Sequence, residues 1–201
     1  NNVANIVSIN GTQLGGSKNL VINGNMKVAQ RGATVTSVTT GYQSADRFYL
    51  RRIASGTTFN SSVANGVLTM NNPSGSTAFE IRHGIEWDNV FYGKTMTLSF
   101  NATAAVGNIE VTIQVVDGSG TKYEVTVDIP TDANVSFTPD MLRIGLGTVS
   151  ANASQSFTLS NLQFEFGSVA TEFEFEPYET TLRRCLRYYY QDTGYLDITV
   201  M

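Results

Sequence analysis

Two side chains that often perform chemistry occur once each in this chain, His83 and Cys185. A nucleophile needs a neighbouring base, and the sequence has no G-x-S-x-G motif to present a serine. One histidine and one cysteine cannot supply the ligands of a zinc site. Cys185 shares an apolar stripe at helical spacing with Leu182, Leu186 and Tyr189, so we interpret it as a packed hydrophobe. For His83 we expect a structural hydrogen bond at a strand end.

Carboxylates offer a second route to catalysis, because glycosidases use two of them about 5–10 Å apart. Glu80 and Glu86 lie on either side of Gly84, which we interpret as a turn. Three glutamates alternate with two phenylalanines within 172–176, and we interpret them as the solvated edge of a strand, where charge discourages aggregation. Pairing with the arginines of the following segment is the alternative. We therefore predict that the protein is not an enzyme.

Calcium is the metal whose ligands the sequence could supply. It needs six to eight oxygens, and Asn23, Asn25 and Asp46 are candidates. Asn is also typical of turns, where its side chain bonds to the nearby backbone. We favour the turn interpretation, keep a structural calcium as the alternative, and predict no cofactor and no metal site.

Sugar recognition is the binding chemistry that the sequence supports best. The C–H faces of a pyranose stack on aromatic rings, and its hydroxyls need short polar partners. Trp87 and Tyr92 supply two rings in the connection that follows residue 85, with Asp88 and His83 close by in sequence. These four residues are the candidate sugar contacts. The alternative is that Trp87 packs inward beneath the loop.

The composition limits the class of partner. Of 201 residues, 41% are hydrophobic and 15% charged, and the net charge is −4 with a pI near 5.0. A nucleic-acid surface needs clustered basic residues, so no nucleic-acid partner is expected. No apolar stretch approaches the ~20 residues of a membrane span, so no membrane insertion is expected. A single cysteine permits no intrachain disulfide and fits synthesis in a bacterial cytoplasm.

Alternation of apolar and polar residues dominates the chain and predicts β-strands. It runs through 96–102, 109–115 and 123–129, and Asp-Gly-Ser-Gly at 117–120 predicts a hairpin turn between the last two. Weaker patterns predict strands at 20–23, 47–53, 67–70, 78–83 and 142–146. Short strands separated by Gly, Asn and Ser predict an all-β fold, an antiparallel jelly-roll β-sandwich with one C-terminal helix.

The segment 156–166 changes the phase of this alternation. Its apolar residues occupy odd positions as far as Leu159 and even positions from Leu162 onwards. A slip of one residue would turn the core face of a strand outward. We therefore predict a β-bulge near Ser160-Asn161, which lets the strand keep facing the core.

We divide the chain into three parts. Residues 1–18 are polar and contain three glycines, and we interpret them as a connector from a preceding shaft or domain. Residues 19–178 form the predicted jelly-roll domain. Residues 179–201 contain the predicted helix, at about 179–190, and a tail; an acidic residue in its first turn suits the helix dipole.

Two segments of the chain carry recognisable motifs. The first segment has NLVINGNM at 19–26, AQRG at 29–32 and SADRF at 44–48. The second has LQFEFGSVAT at 162–171, FEPY at 175–178 and LRRCLRYY at 182–189. In this order they resemble a family of bacteriophage tail-fibre and virion structural proteins, in which similar motifs bracket a jelly-roll domain. The stretch 81–100 is similar too, so the resemblance covers about residues 19–190. Phe48 and Glu172 depart from the family pattern, which usually has Trp and often has Pro there.

The resemblance implies a place in the virion and a jelly roll similar to the carbohydrate-binding modules of glycoside hydrolases. Our first hypothesis is a non-enzymatic tail-fibre head, a homotrimer that contacts a host-surface glycan or protein and other virion tail proteins. One alternative is an architectural tail or capsid decoration protein that binds other virion subunits. Another is a carbohydrate-binding module of a hydrolase.

The C-terminal motif also supplies candidate interface residues. Arg187, Tyr188 and Tyr190 are the candidate subunit contacts, because Tyr and Arg are favoured in interfaces. The alternative is that they close one end of the sandwich.

Overall fold

In a computed structural model of the chain, the described residues are 8–9, 12–13, 17–52, 59–71, 79–104, 110–116, 122–125, 141–148 and 156–190. Their strands form two antiparallel sheets that enclose one core, together with a two-stranded hairpin and one C-terminal helix. The predicted class, an all-β antiparallel sandwich with a C-terminal helix, is confirmed.

The elements follow one another as β1 (Ser8–Ile9), β2 (Thr12–Gln13), β3 (Thr34–Val35), β4 (Gly41–Tyr42), β5 (Phe48–Arg52), β6 (Asn60–Ala64), β7 (Val67–Asn71), β8 (Phe79–Glu86), a 3-10 helix (Asn89–Phe91), β9 (Met96–Ala104), β10 (Glu110–Val116), β11 (Lys122–Val125), β12 (Met141–Thr148), β13 (Ser156–Phe166) and α1 (Tyr178–Leu186). The large sheet has the order β11-β10-β12-β8-β5-β4, and the small sheet β3-β6-β7-β13-β9. The chain therefore passes from one sheet to the other six times between β3 and β13, in the manner of a jelly roll.

Alternate side chains of both sheets meet in the core. In the large sheet, Leu50 of β5 and Ile81 of β8 are fully buried while their strand neighbours are only half-buried. Phe79 of the large sheet contacts Phe157 of the small sheet, with ring centroids 5.7 Å apart. Each such side chain contributes roughly 1.5–3 kcal/mol by burial, and the core holds the two sheets together.

Most of the predicted strands are confirmed, with small shifts at their ends. The strand predicted at 78–83 is longer, because β8 continues to Glu86. The predicted hairpin is present, since β10 pairs with β11 in antiparallel register from Val116 opposite Lys122. The turn residues 117–120 and the end of the strand predicted at 123–129 lie outside the described residues.

The predicted bulge in β13 is confirmed. The pairing of β13 with β9 shifts register between Ser160 and Gln163, and Asn161 adopts the left-handed backbone conformation with φ of 51°. As a result Leu159 and Leu162 are both buried, on either side of the bulge. The strand of 11 residues thus supplies core side chains from Phe157 to Phe164, and its last residue, Phe166, is exposed.

The strand predicted at 20–23 is wrong, because these residues form turns against the β13 bulge. The buried side chain of Asn19 accepts hydrogen bonds from the amides of Val21 (3.0 Å) and Phe164 (3.1 Å) and donates to the carbonyl of Leu162 (3.1 Å). The carbonyl of Gly24 accepts from the Leu162 amide at 2.9 Å. A side chain and a turn therefore supply the hydrogen bonds that a neighbouring strand would give.

The helix is shorter than predicted, and its buried face differs. It ends at Leu186 instead of about 190. Cys185 is buried as expected, and its burial raises the pKa of the thiol to about 12. Thr181, not Leu186, is the other fully buried residue of α1, and Leu186 is 36% exposed. The division of the chain into connector, jelly roll and tail stays a prediction.

Replacing Asn19 by alanine tests the role of its side chain at the bulge. The Asn19→Ala variant should lose about 2–4 kcal/mol of unfolding free energy, because it leaves buried backbone groups without partners. Urea denaturation measures this loss. The matched control is Asn101→Ala on the exposed face of β9, which should change stability by less than about 0.5 kcal/mol. Equal effects of the two substitutions would contradict the assignment.

Candidate functional site

Trp87, Tyr92 and Asp88, three of the four predicted sugar contacts, lie together after β8. The rings of Trp87 and Tyr92 are 4.9 Å apart, and both side chains are partly buried against the core. Asp88 accepts a hydrogen bond from the amide of Val90 at 2.9 Å and so caps the 3-10 helix. The ring packing and the Asp88 cap stabilise this loop. A sugar-binding role for the three residues stays a prediction.

His83, the fourth predicted sugar contact, lies elsewhere. It points into the core and is 1% exposed, so it does not reach a surface that a sugar could contact. Its Nε2 donates to the carbonyl of Ile22 at 3.1 Å, and its ring contacts Phe48 with centroids 5.1 Å apart. Burial, and next the positive charge of Arg47, lower its pKa to about 3. The residue is a neutral, structural histidine.

The lowered pKa of His83 makes the stability of the fold depend on pH. Between pH 6.5 and about 3 the unfolded chain binds a proton at this residue and the folded chain does not, so stability falls on acidification through that window. From pH 7 to pH 5 the loss should be about 2 kcal/mol. The His83→Gln variant keeps a hydrogen-bond donor and should lack this part of the pH dependence. Urea unfolding of both proteins at the two pH values measures the difference, and parallel losses in both would contradict it.

The predicted interface residues mostly bind their own chain. The Arg187 guanidinium pairs with Glu86 at 2.9 Å, and the Tyr188 hydroxyl donates to the same carboxylate at 2.9 Å. The guanidinium of Arg47 stacks on the Tyr188 ring at 3.5 Å. These contacts fix the end of α1 to β8. Tyr190 is 69% exposed, and the subunit interface stays a prediction.

Glu80 and Glu86 cannot act as a pair. The interpretation of Gly84 as a turn is wrong, because Gly84 lies inside β8. The two glutamates are six residue steps apart along one strand, a distance of about 20 Å at ~3.3 Å per residue. This is well beyond the separation that two-carboxylate glycoside hydrolysis needs.

The glutamates of 172–176 do not lie on a strand, so that interpretation is wrong as well. Glu174 accepts hydrogen bonds from the Ser17 hydroxyl (2.7 Å) and the Asn19 amide (2.9 Å). Burial alone would raise the pKa of Glu174, but these hydrogen bonds outweigh it and the pKa is lowered. Glu176 pairs with Arg184 at 2.9 Å, which agrees with the alternative of pairing with the helix.

The candidate calcium ligands bind protein donors. Asn23 accepts from the Val28 amide at 3.0 Å and donates to the Val28 carbonyl at 2.9 Å. Asp46 accepts from the Gln30 amide at 3.0 Å and lies 3.6 Å from the Arg31 guanidinium. Within the described ranges, no group of three or more His, Cys, Asp or Glu is placed to hold a metal ion. Turn chemistry accounts for the positions of Asn23 and Asp46.

The two sequence motifs meet in this part of the fold. The Gln30 side chain donates to Asp46 and, at 3.3 Å, to the carbonyl of Tyr189. The Arg31 guanidinium stacks on the Tyr189 ring at 3.4 Å. Asn19 binds the backbone of Phe164, as described above. The motif residues therefore tie the two ends of the domain together.

A groove that the sequence did not predict crosses the outer face of the large sheet. It has a volume of about 240 Å³ and is lined by Tyr42, Tyr49, Arg82, Gly84, Met141 and Arg143; we call it the Tyr49 groove. These residues come from the adjacent strands β4, β5, β8 and β12. They alternate along their strands with core residues, so the paired strands fix the positions of their backbones.

Two glycines leave the sheet surface beside this groove without side chains at their positions. Gly84 and Gly145 are at outward positions of β8 and β12, where a side chain would rise from the sheet. A Cβ atom on Gly145 would overlap the Thr112 hydroxyl and the Glu80 carboxylate, and one on Gly84 would approach the Met141 sulfur at 3.3 Å. The rings of Tyr42 and Tyr49 form one wall, edge to face with centroids 5.2 Å apart.

Positive charge dominates the described side chains around the groove. Glu80 pairs with both Arg82 at 2.8 Å and Arg51 at 3.2 Å. Arg143 is half-buried, and its guanidinium makes no hydrogen bond or ion pair with any described residue. Burial, and next the charge of Arg82, lower the pKa of Arg143. Arg143 thus has no ion-pair partner of its own among the described side chains, because Glu80, the carboxylate that acts on it, is paired with Arg51 and Arg82.

A second cavity continues the groove towards α1. It has a volume of about 150 Å³, and its lining includes Arg31, Tyr42, Arg47, Tyr188 and Tyr189. Tyr42 lines both cavities, so they are neighbours on one surface. The stacked Tyr and Arg side chains extend this surface from the sheet to the C-terminal segment.

Part of the groove could be predicted from the sequence. Alternation in the predicted strands 47–53, 78–83 and 142–146 places Tyr49, Arg82 and Arg143 opposite to the core residues. What it did not indicate is that β5, β8 and β12 are neighbours, because connections of 26 to 54 residues separate them in sequence.

Comparisons with known proteins find only distant likenesses. No protein-family model matches it, and no curated protein does. Similar solved structures include the enzymatically active domain of tailspike protein 4 of bacteriophage CBA120 (13% identity, 75% of this chain and 22% of that chain, TM-score 0.43). They also include TmCBM61 in complex with β-1,4-galactotriose (11%, 75% and 100%, 0.39) and an exo-β-agarase (13%, 70% and 26%, 0.34).

The chain spans only about a quarter or less of the tailspike and agarase chains. All three TM-scores are below 0.5, and the class of the protein follows from its own geometry. The chain is an all-β jelly-roll sandwich with a tyrosine- and arginine-lined groove on one sheet. None of its described helices is long and apolar enough to cross a membrane.

Proposed function

We propose that this protein is a non-catalytic carbohydrate-binding domain that holds an oligosaccharide in the Tyr49 groove. The observation that carries the proposal is the groove itself: two tyrosine rings and two arginines around a low, glycine-bearing sheet face. Aromatic rings suit the C–H faces of a pyranose, and guanidinium and hydroxyl groups suit its oxygens.

The size and rigidity of the groove support the same function. Its volume of about 240 Å³ is below the roughly 300–1,000 Å³ of pockets for drug-sized ligands, so it suits a single sugar ring. The neighbouring cavity beyond Tyr42 provides room for an adjoining sugar. Strand pairing holds the backbone of these residues in place, so little backbone ordering free energy is lost on binding.

We further propose that the domain is displayed on a bacteriophage virion, as a tail-fibre head that contacts the host surface. The support is the pair of motifs at 19–48 and 162–189 and their resemblance to virion structural proteins. A homotrimer would present three grooves at once, and avidity would strengthen contacts that are individually weak.

Binding to a glycan microarray tests the proposed function. The full chain should bind at least one glycan, and Tyr49→Ala should weaken that binding roughly tenfold through loss of ring contacts. The matched control is Tyr178→Ala, at an exposed position on α1, which should bind like the unchanged protein. Thermal unfolding of each variant verifies that the fold is intact.

Two outcomes would contradict the proposal. One is the absence of glycan binding together with binding to purified virion subunits, which would indicate an architectural protein. The other is the release of new reducing ends from a bound polysaccharide during long incubation, which would indicate a hydrolase. Solution mass tests the trimer separately.

A further inference from the structure

The charges around the Tyr49 groove narrow the class of ligand. Building on the proposed function, we infer that the groove binds an acidic saccharide, with a sugar carboxylate paired to Arg143 beside Arg82. No neutral sugar would supply the missing counter-charge.

The ion pairs of the groove leave part of its positive charge unbalanced. Three guanidiniums, those of Arg51, Arg82 and Arg143, share this part of the sheet face with one described carboxylate, Glu80. Glu80 is already bound to Arg51 and Arg82. The described side chains therefore leave a surplus of positive charge, centred on Arg143.

Two arginines of the groove have hydrogen-bond donors without acceptors among the described residues. The guanidinium of Arg143 makes no hydrogen bond to a described residue although it is half-buried. The Nε of Arg82 is buried and has no hydrogen-bond partner in the described part of the chain. The Arg82 Nε is closed to solvent, whereas the Arg143 guanidinium is partly exposed, and a ligand carboxylate with two oxygens in one plane would satisfy its donors.

The positive charge of the groove is local and is not a property of the whole protein. The chain has a net charge of −4, so general electrostatics would repel an anion. A cationic groove on an acidic protein attracts anions locally. The tyrosine rings beside the arginines favour a saccharide over a simple anion or an extended acidic peptide, because rings stack on sugar faces.

The test compares acidic polysaccharides with neutral versions of the same backbones. Polygalacturonate, hyaluronan and polysialic acid are each used beside their carboxyl-reduced forms, with the full chain immobilised and binding measured at low and high salt. At least one acidic polymer should bind about ten- to a hundredfold more tightly than its reduced form. High salt should narrow that difference.

Variants assign the preference to the groove. Arg143→Gln should remove the preference for the acidic form, and Arg143→Lys should keep part of it, because lysine retains the charge but not the planar fork. The matched control, Arg183→Gln, makes the same charge change at an exposed position of α1 and should behave like the unchanged protein. Tyr49→Ala should weaken acidic and neutral forms alike.

The outcomes separate this inference from the proposed function. Equal binding of acidic and reduced polymers, or binding of neutral glycans alone, would overturn the acidic ligand and leave carbohydrate binding in place. An unchanged preference in Arg143→Gln would also overturn it. Binding of poly-glutamate as tight as that of the acidic saccharide would show that charge alone is recognised, and it would overturn the acidic saccharide as the ligand. Binding of no saccharide at all would overturn both proposals.

Discussion

The bulge in β13 is the constraint on which the rest of the sandwich depends. A strand of 11 residues spans the small sheet, and its apolar side chains change phase half-way along. Asn161 absorbs that change in a left-handed conformation, a region that Asn tolerates better than most residues. On the other edge of β13, β7 pairs only as far as Leu159, and Asn19 and Gly24 satisfy the backbone groups of Leu162 and Phe164 beyond that point. The N-terminal turn is therefore part of the small sheet's hydrogen bonding, although it is not a strand.

The strands could be predicted from sequence wherever alternation is determined by burial on one side. This was so for β8, β9, β12 and β13, whose inward residues are core residues such as Ile81 and Phe157. It failed where alternation has another cause. Residues 20–23 look like a strand, but the Asn19 side chain turns them against β13. In 172–176, Glu174 and Glu176 bind Ser17 and Arg184, and Phe175 is exposed, so the alternation does not mark a strand with one buried face.

The candidate site was harder to predict than the fold, for a geometric reason. A cluster that is close in sequence, such as Trp87 with Tyr92, is visible in a sequence, and here these two rings pack against the core. The groove residues are instead brought together by strand order: Tyr42 opposite Tyr49, Tyr49 opposite Arg82, and Arg143 opposite Gly84. The pairings of β5 with β8 and of β8 with β12 join strands that are far apart in sequence, so no local pattern reveals that they are adjacent. The helix was predicted to be too long for a related reason. Arg187 and Tyr188 bind Glu86, which is far from them in sequence.

The strict alternation of the large sheet separates recognition from folding within single strands. In β5 and β8 the residues that hold the sandwich together point one way, and those that line the groove point the other. Outward positions such as Tyr49, Arg82 and Arg143 can therefore be exchanged in combination while the core stays as it is. The domain is thus suited to protein engineering, in which libraries built at these few positions would change the ligand and retain the scaffold.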